Sequence, residues 1–168
     1  TGMAEFMERV TSQGMENSQC FNLAEQWAPH AMEAGRKGVA AVFDPELKPR
    51  SCASEVVRQM GGSEEEIGKV AGFAGGLGLF GGACGSLGAA IWKKMLDWCR
   101  AHPEKDPPYF NNKTAVNMLK AFREETKGAM RCREICGRQF AHLTDHTEYL
   151  NRGGCKHLMD VLAVSGDA

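Results

Sequence analysis

Residues 72–100 read GFAGGLGLFGGACGSLGAAIWKKMLDWCR, and the first 17 of them hold eight glycines. Glycine is costly inside helices and strands, so this density marks backbone that needs positive φ or a close approach to another group. From Ala89 to Arg100 the pattern changes. Ile91, Trp92, Met95 and Leu96 recur at helical spacing, which predicts a firm helix with those four side chains inward. The spacing GxGxxG does occur, at Gly76, Gly78 and Gly81. A dinucleotide site needs that pattern between a strand and a helix, and no strand is predicted before it. The phosphate-loop pattern GxxxxGK[ST] is absent, because no lysine follows the glycines before Lys93.

Outward from this stretch the chain reads as all-α. Beta-branched residues are sparse, Ala, Met, Glu, Lys and Leu are common, and neither Asn-Gly nor Asp-Gly occurs to turn a hairpin. Upstream, Ser51 to Met60 is helix-compatible and Gly61-Gly62 ends it. Ser63 with Glu66 is a capping box that opens another helix, and its acids Glu64, Glu65 and Glu66 suit the positive end of the helix dipole. Downstream, the proline-rich loop from His102 to Phe110 ends at Asn111 or Asn112, either of which can cap a helix running to Thr126. Two shorter helices are expected near Arg131 to Leu143 and Gly154 to Val164.

The first fifty residues, 1–50, form a separate helical extension. Met3, Phe6, Met7 and Val10 predict an amphipathic helix over Met3 to Ser12, and Glu16 to Ala34 continues helically with a break expected near Pro29. Lys37 to Arg50, with Pro45 and Pro49, reads as the connection to residues 51–168. Phe21 and Trp27 are expected to seat the extension on the main domain or on a second copy of the chain, as a homodimer.

With 168 residues, 43% hydrophobic and 24% charged, the chain has the balance of an ordinary globular domain. Lys+Arg 20 against Asp+Glu 21 gives a net charge of −1, without the basic excess that marks a nucleic-acid binder. No apolar run is long enough for a membrane span. The expected compartment is the cytoplasm, or the periplasm if a leader has been removed ahead of Thr1.

Seven cysteines is an odd count, which argues against a purely structural disulfide framework. Cys52 opens a predicted helix, Cys84 lies among the glycines at the start of another, Cys132 is flanked by Arg131 and Arg133, and Cys155 follows Gly153-Gly154 and precedes Lys156. Backbone N–H groups, helix dipoles and cations all stabilise a thiolate, the form that ligates metals and attacks disulfides. Cys20 and Cys99 sit in apolar helical patterns and are assigned to packing. Cys136 is one turn beyond Cys132 on the same face and could replace one of the four as a ligand. There is no CxxC for a thioredoxin-like site and no CxxCH for covalent haem. His142 and His146 form an i, i+4 pair, read as a solvated helix face near Asp145 and Glu148.

The order Cys52, GGACGSLGAA around Cys84, RCREICG around Cys132 and GGCKHLMDV around Cys155 resembles the redox-active family named for a C…GCAxxG…C…C signature. The resemblance spans about Ser51 to Ala163 and takes in the approach GFAGGLGLFGG and the helix MLKAFREETKG. Where relatives often read Cys-Gly-Ala-x-x-Gly, this chain has Cys84-Gly85-Ser86-Leu87-Gly88, with the second glycine moved. The family domain is similar to the cluster-binding part of split-Soret cytochromes, whose haem-binding portion has no counterpart in residues 1–50.

The resemblance implies an all-helical redox domain in which Cys52, Cys84, Cys132 and Cys155 hold an iron–sulfur cluster, most simply [2Fe–2S], and pass electrons to a redox partner. Backbone N–H groups of the glycine stretch, Gly82 and Gly85 in particular, would donate to the cluster sulfurs. Two alternatives stand beside it. One is a thiol–disulfide enzyme in which Cys84 attacks and Cys132 or Cys155 resolves. The other is a structural zinc domain that mediates interactions.

Overall fold

The structure, a computed structural model, describes residues 19–40, 50–108 and 112–166, together with Glu5, Glu8, Thr11, Ser12 and Gly14. The Met3 to Ser12 helix and the Asn111 cap therefore lie outside the described residues, or largely so. The described elements are helical: α1 (Gln19–Ala40), α2 (Cys52–Gln59), α3 (Glu64–Lys69), a 3-10 turn (Ala71–Phe73), α4 (Gly85–Ala101), α5 (Lys113–Glu125), α6 (Cys132–Ile135), α7 (Leu143–Asn151) and α8 (Lys156–Val164). Among the described residues there is no strand, and the one β-bridge is antiparallel, between Ala83 and Arg131. The all-α reading holds. No described helix is long and apolar enough to cross a membrane.

The chain divides into two compact units, Thr1–Leu47 and Lys48–Ala168. In the first, α1 runs through Pro29 without the expected break and continues to Ala40. Proline removes one N–H donor, but this helix is exposed along its length, so water can bond the carbonyl left over. Phe21, Leu23, Trp27 and Met32 are exposed on it.

In the second unit α2 packs on α4 and α8, α4 on α5, and α5 on α8. Small residues at the crossings let these helices approach: Ala53 on α2 and Ala89 and Ala90 on α4 are fully buried. Val56, Val57, Met118, Phe122 and Leu162 fill the space between them with no exposed surface. Truncating Phe122 to alanine would cost about 3–5 kcal/mol through lost burial and the cavity left behind.

The caps at Ser63 and Asn112 are where the sequence put them, and the structure adds Ser51. Ser54 N–H donates to Ser51 Oγ (3.2 Å), Glu66 N–H to Ser63 Oγ (3.3 Å) with Ser63 N–H returning to Glu66 Oε2 (2.8 Å), and Ala115 N–H to Asn112 Oδ1 (3.0 Å). Three expectations change. The central helix begins at Gly85, one turn ahead of Ala89, because Gly85, Ser86, Leu87 and Gly88 are helical. Its most buried long side chain is Lys93, while Ile91, Trp92, Met95 and Leu96 are half-buried. The helix expected over Arg131 to Leu143 stops at Cys136, where Gly137 takes φ 68, and a separate helix, α7, follows with His142 as its N-cap.

Lys93 is buried with partners. Its Nζ lies 3.7 Å from Glu66 Oε2 and 2.5 Å from Asp97 Oδ1, and Arg100 pairs with Glu66 from two turns further along α4.

Candidate thiol centre

The glycine stretch folds as successive turns against the segment that carries Cys132. Cys84 N–H donates to Met130 O (3.2 Å), Cys132 N–H to Gly82 O (2.6 Å) and Arg133 N–H to Gly81 O (3.2 Å). This short ladder brings two cysteines 48 positions apart in sequence onto one wall. Two glycines make it possible. At Gly76, φ 79, an added Cβ would stand 2.6 Å from Cys132 Cβ and 2.7 Å from Gly82 N. At Gly85 it would stand 1.8 Å from Phe73 O, inside the backbone of the preceding turn.

The four cysteines singled out in the sequence all sit at helix beginnings. Cys52 is the first residue of α2, Cys84 the N-cap of α4, Cys132 the first residue of α6 and Cys155 the N-cap of α8, with Cys155 in the left-handed region at φ 57. Cys52 and Cys132 are buried; Cys84 and Cys155 are partly so. All four pack on the same core or form part of it. Cys52 is near enough to Cys84, Cys132 and Cys155 to act on each of them electrostatically, as Cys84 is on Cys132.

A fifth thiol joins them. Cys136 Sγ lies 3.8 Å from Cys132 Sγ and 3.7 Å from Cys155 Sγ, and the nearby Tyr149 hydroxyl also favours its thiolate. Cys155 Sγ lies 4.0 Å from the Tyr149 oxygen. With the Cys132 and Cys155 thiols turned toward it, the Cys136 thiol is held well below the ordinary thiol range. The cost falls on its donors. The bond to Cys136 and burial push both Cys132 and Cys155 up, and burial pushes up Tyr149.

Cys84 behaves differently from the expectation that its helix start favours a thiolate. The N–H groups of Leu87 and Ser86 do face its sulfur, yet burial outweighs them and pushes the thiol up to about 11. These two residues, one turn into α4, are the backbone donors at a cysteine sulfur. The N–H of Gly82 goes to Gly76 O (3.1 Å) instead, and Gly85 serves by having no side chain.

His146 is 2% exposed, so the solvated-face reading of the His142 and His146 pair does not hold for it; His142 is exposed at the N-cap of α7. The ring nitrogen Nδ1 of His146 bonds Arg50 O (3.2 Å), and its ring meets Phe140 edge-on at 4.9 Å. Burial lowers its pKa, against the bond to Arg50 O and the neighbouring Cys136 and Asp145, which favour the charged ring. Cys136 was visible in the sequence only as an i, i+4 neighbour of Cys132. Nothing in the sequence marked Tyr149. Cys99 lies half-buried on α4; the side chain of Cys20 is outside the described residues.

Five thiols with three longer helix N-termini behind them form a soft, anion-tolerant donor set, the chemistry that suits iron–sulfur or zinc ligation. Among the described residues no group of three thiol, imidazole or carboxylate side chains is set at the spacing of a single metal ion. No family model matches the chain, and no curated protein or solved structure matches it.

Proposed function

We propose that this chain is a redox protein in which Cys52, Cys84, Cys132 and Cys155 hold an iron–sulfur cluster, most simply [2Fe–2S], and that it transfers electrons to a protein partner. The observation that carries the reading is the gathering of four cysteines spread over 104 positions at one edge of the core, each at a helix start. The resemblance to the four-cysteine redox family selects the same four residues. Such a cluster supplies one-electron chemistry when bound, and its thiolate ligands are deprotonated by the metal whatever their free pKa.

The chain's own part is to position and tune. The N-termini of α2, α4 and α8 place positive partial charge toward a centre that carries negative charge. The Leu87 and Ser86 N–H groups at Cys84 stabilise electron density on that sulfur, which favours the reduced, more negative form of the centre and raises its potential. Cys52 belongs to the buried core and Cys84 and Cys155 pack against it, which keeps water from one side of these thiols. The test is the visible absorption of the full chain purified without air, with iron and acid-labile sulfide counted per chain. Colour with iron and sulfide together supports the reading. A colourless chain carrying zinc supports the interaction domain instead, and a colourless, metal-free chain contradicts both.

A further inference from the structure

The four-cysteine reading leaves Cys136 without a task, although its sulfur is the hub of the pocket. Two other sulfurs touch it, at 3.8 Å for Cys132 and 3.7 Å for Cys155. Hydrogen bonds to a sulfur hold it in one rotamer, and a thiol in contact with a second thiol is placed for disulfide closure once either is oxidised. The two neighbours are not equivalent. Cys132 and Cys136 are one turn apart, with Cys136 N–H bonded to Cys132 O (2.8 Å), and such a spacing holds Cβ atoms about 5–6 Å apart. A disulfide needs roughly 3.5–4.5 Å, so closing that pair distorts the turn. Cys155 belongs to another segment, directly after Gly153-Gly154, where backbone can give. Cys136 and Cys155 are also both partly exposed, whereas Cys132 is buried.

We propose that Cys136 and Cys155 form a working dithiol that exchanges with low-molecular-weight disulfides, giving the centre a second redox state made of the chain alone. The Cys136 thiolate attacks one sulfur of the small disulfide RSSR; that S–S bond breaks and RS⁻ leaves, taking up a proton. The Cys155 thiolate then attacks the Cys136 sulfur of the mixed disulfide and displaces the second RS⁻, which is protonated in turn. Two protein thiols are oxidised to one disulfide, one RSSR is reduced to two RSH, and the two protons lost by the cysteines are those gained by the leaving groups. The proposal stands on the sulfur positions and does not need a bound cluster. Because Cys155 is also a proposed cluster ligand, the disulfide and the cluster exclude each other.

The test uses the full chain, reduced and freed of metal by a chelator, exposed to oxidised glutathione, quenched in acid, alkylated and digested with trypsin. Cleavage after Arg131, Arg133, Arg138, Arg152 and Lys156 puts Cys132, Cys136 and Cys155 on three different peptides, so their pairing is read directly by mass. The expected product is a bridge between the peptides carrying Cys136 and Cys155, with reduced glutathione released. Cys136→Ser and Cys136→Ala should each lose that bridge and leave Cys155 free or glutathionylated, while Cys99→Ser keeps it; circular dichroism confirms that each variant is folded. A dominant bridge between any other pair, Cys132–Cys136 included, or no bridge in the folded chain, overturns the proposal. Colour and iron of the untreated protein are measured separately. A coloured protein that fails to bridge loses only this dithiol, and a colourless one that bridges loses only the cluster.

Discussion

Around Glu66 every buried charge meets its opposite, whereas around Cys136 like meets like. In the first place, Lys93 sits between Glu66 and Asp97, Arg100 closes on Glu66, and the same carboxylate takes the Ser63 N–H. It is a finished structural device: it ties α3 to α4 and leaves nothing over. Among the described residues no buried side-chain nitrogen or oxygen lacks a partner. In the second place, Cys132, Cys136 and Cys155 meet through the weak bonds that sulfur makes, and Cys52 and Cys84 are near enough to act on them electrostatically. Packing alone does not call for five cysteines from four helix starts and a helix end. The ion cluster is explained by folding, and the thiol centre is explained by what it can hold or exchange.

That contrast can be broken first at Lys93. Lys93→Met removes a buried charge and leaves Glu66 with fewer partners, at a cost of roughly 3 kcal/mol to stability. Urea denaturation should register the loss, while the visible spectrum of the purified protein stays as it was. A changed spectrum would mean that the two places are coupled.

The complementary change is Gly76→Ala, whose Cβ runs into Cys132 and the Gly82 backbone. The crowding should cost about 1–3 kcal/mol, and iron per chain should fall although circular dichroism remains helical. Full iron in this variant would detach the glycine turn from the centre.

A pH titration sharpens the ionic side. The Ser63 N–H, then Arg100, hold Glu66 below its ordinary value of 4.5. A carboxylate depressed on folding contributes its full stability above that value and loses it as pH falls toward the folded pKa. Stability should therefore drop on acidification below about pH 4.5, and Glu66→Gln should flatten that acid limb. An unchanged acid limb in Glu66→Gln would place the titration elsewhere. The smallest effect belongs to Cys99→Ser, which should shift the denaturation midpoint slightly and leave iron content unchanged.

Much of this architecture was legible in the sequence because it is written in local chemistry. Ser63 and Asn112 announce their helices by side chains that bond the first free N–H groups, and Gly61 ends α2 with φ 75. The four cysteines were legible for the same reason, since glycines, caps and flanking arginines mark helix starts. What was not legible depends on long-range placement. Lys93 looks like a surface lysine until Glu66 arrives from α3, and His146 looks solvated until Phe140 and Arg50 cover it. Cys84 has the local donors expected of a thiolate, but its burial, a property of the whole fold, decides its proton. Cys136 was marked only as a possible substitute ligand and Tyr149 not at all, because their contacts come from the Cys155 loop, 19 residues further along from Cys136.

The most direct measurement is iron per chain in the Cys→Ser series, with every protein purified without air and its fold checked by circular dichroism. Cys52→Ser, Cys84→Ser, Cys132→Ser and Cys155→Ser should each lose the iron held by the unaltered protein, whereas Cys99→Ser should keep it. Full iron in Cys84→Ser, or equal loss in Cys99→Ser, would contradict the assignment of the cluster to these four cysteines.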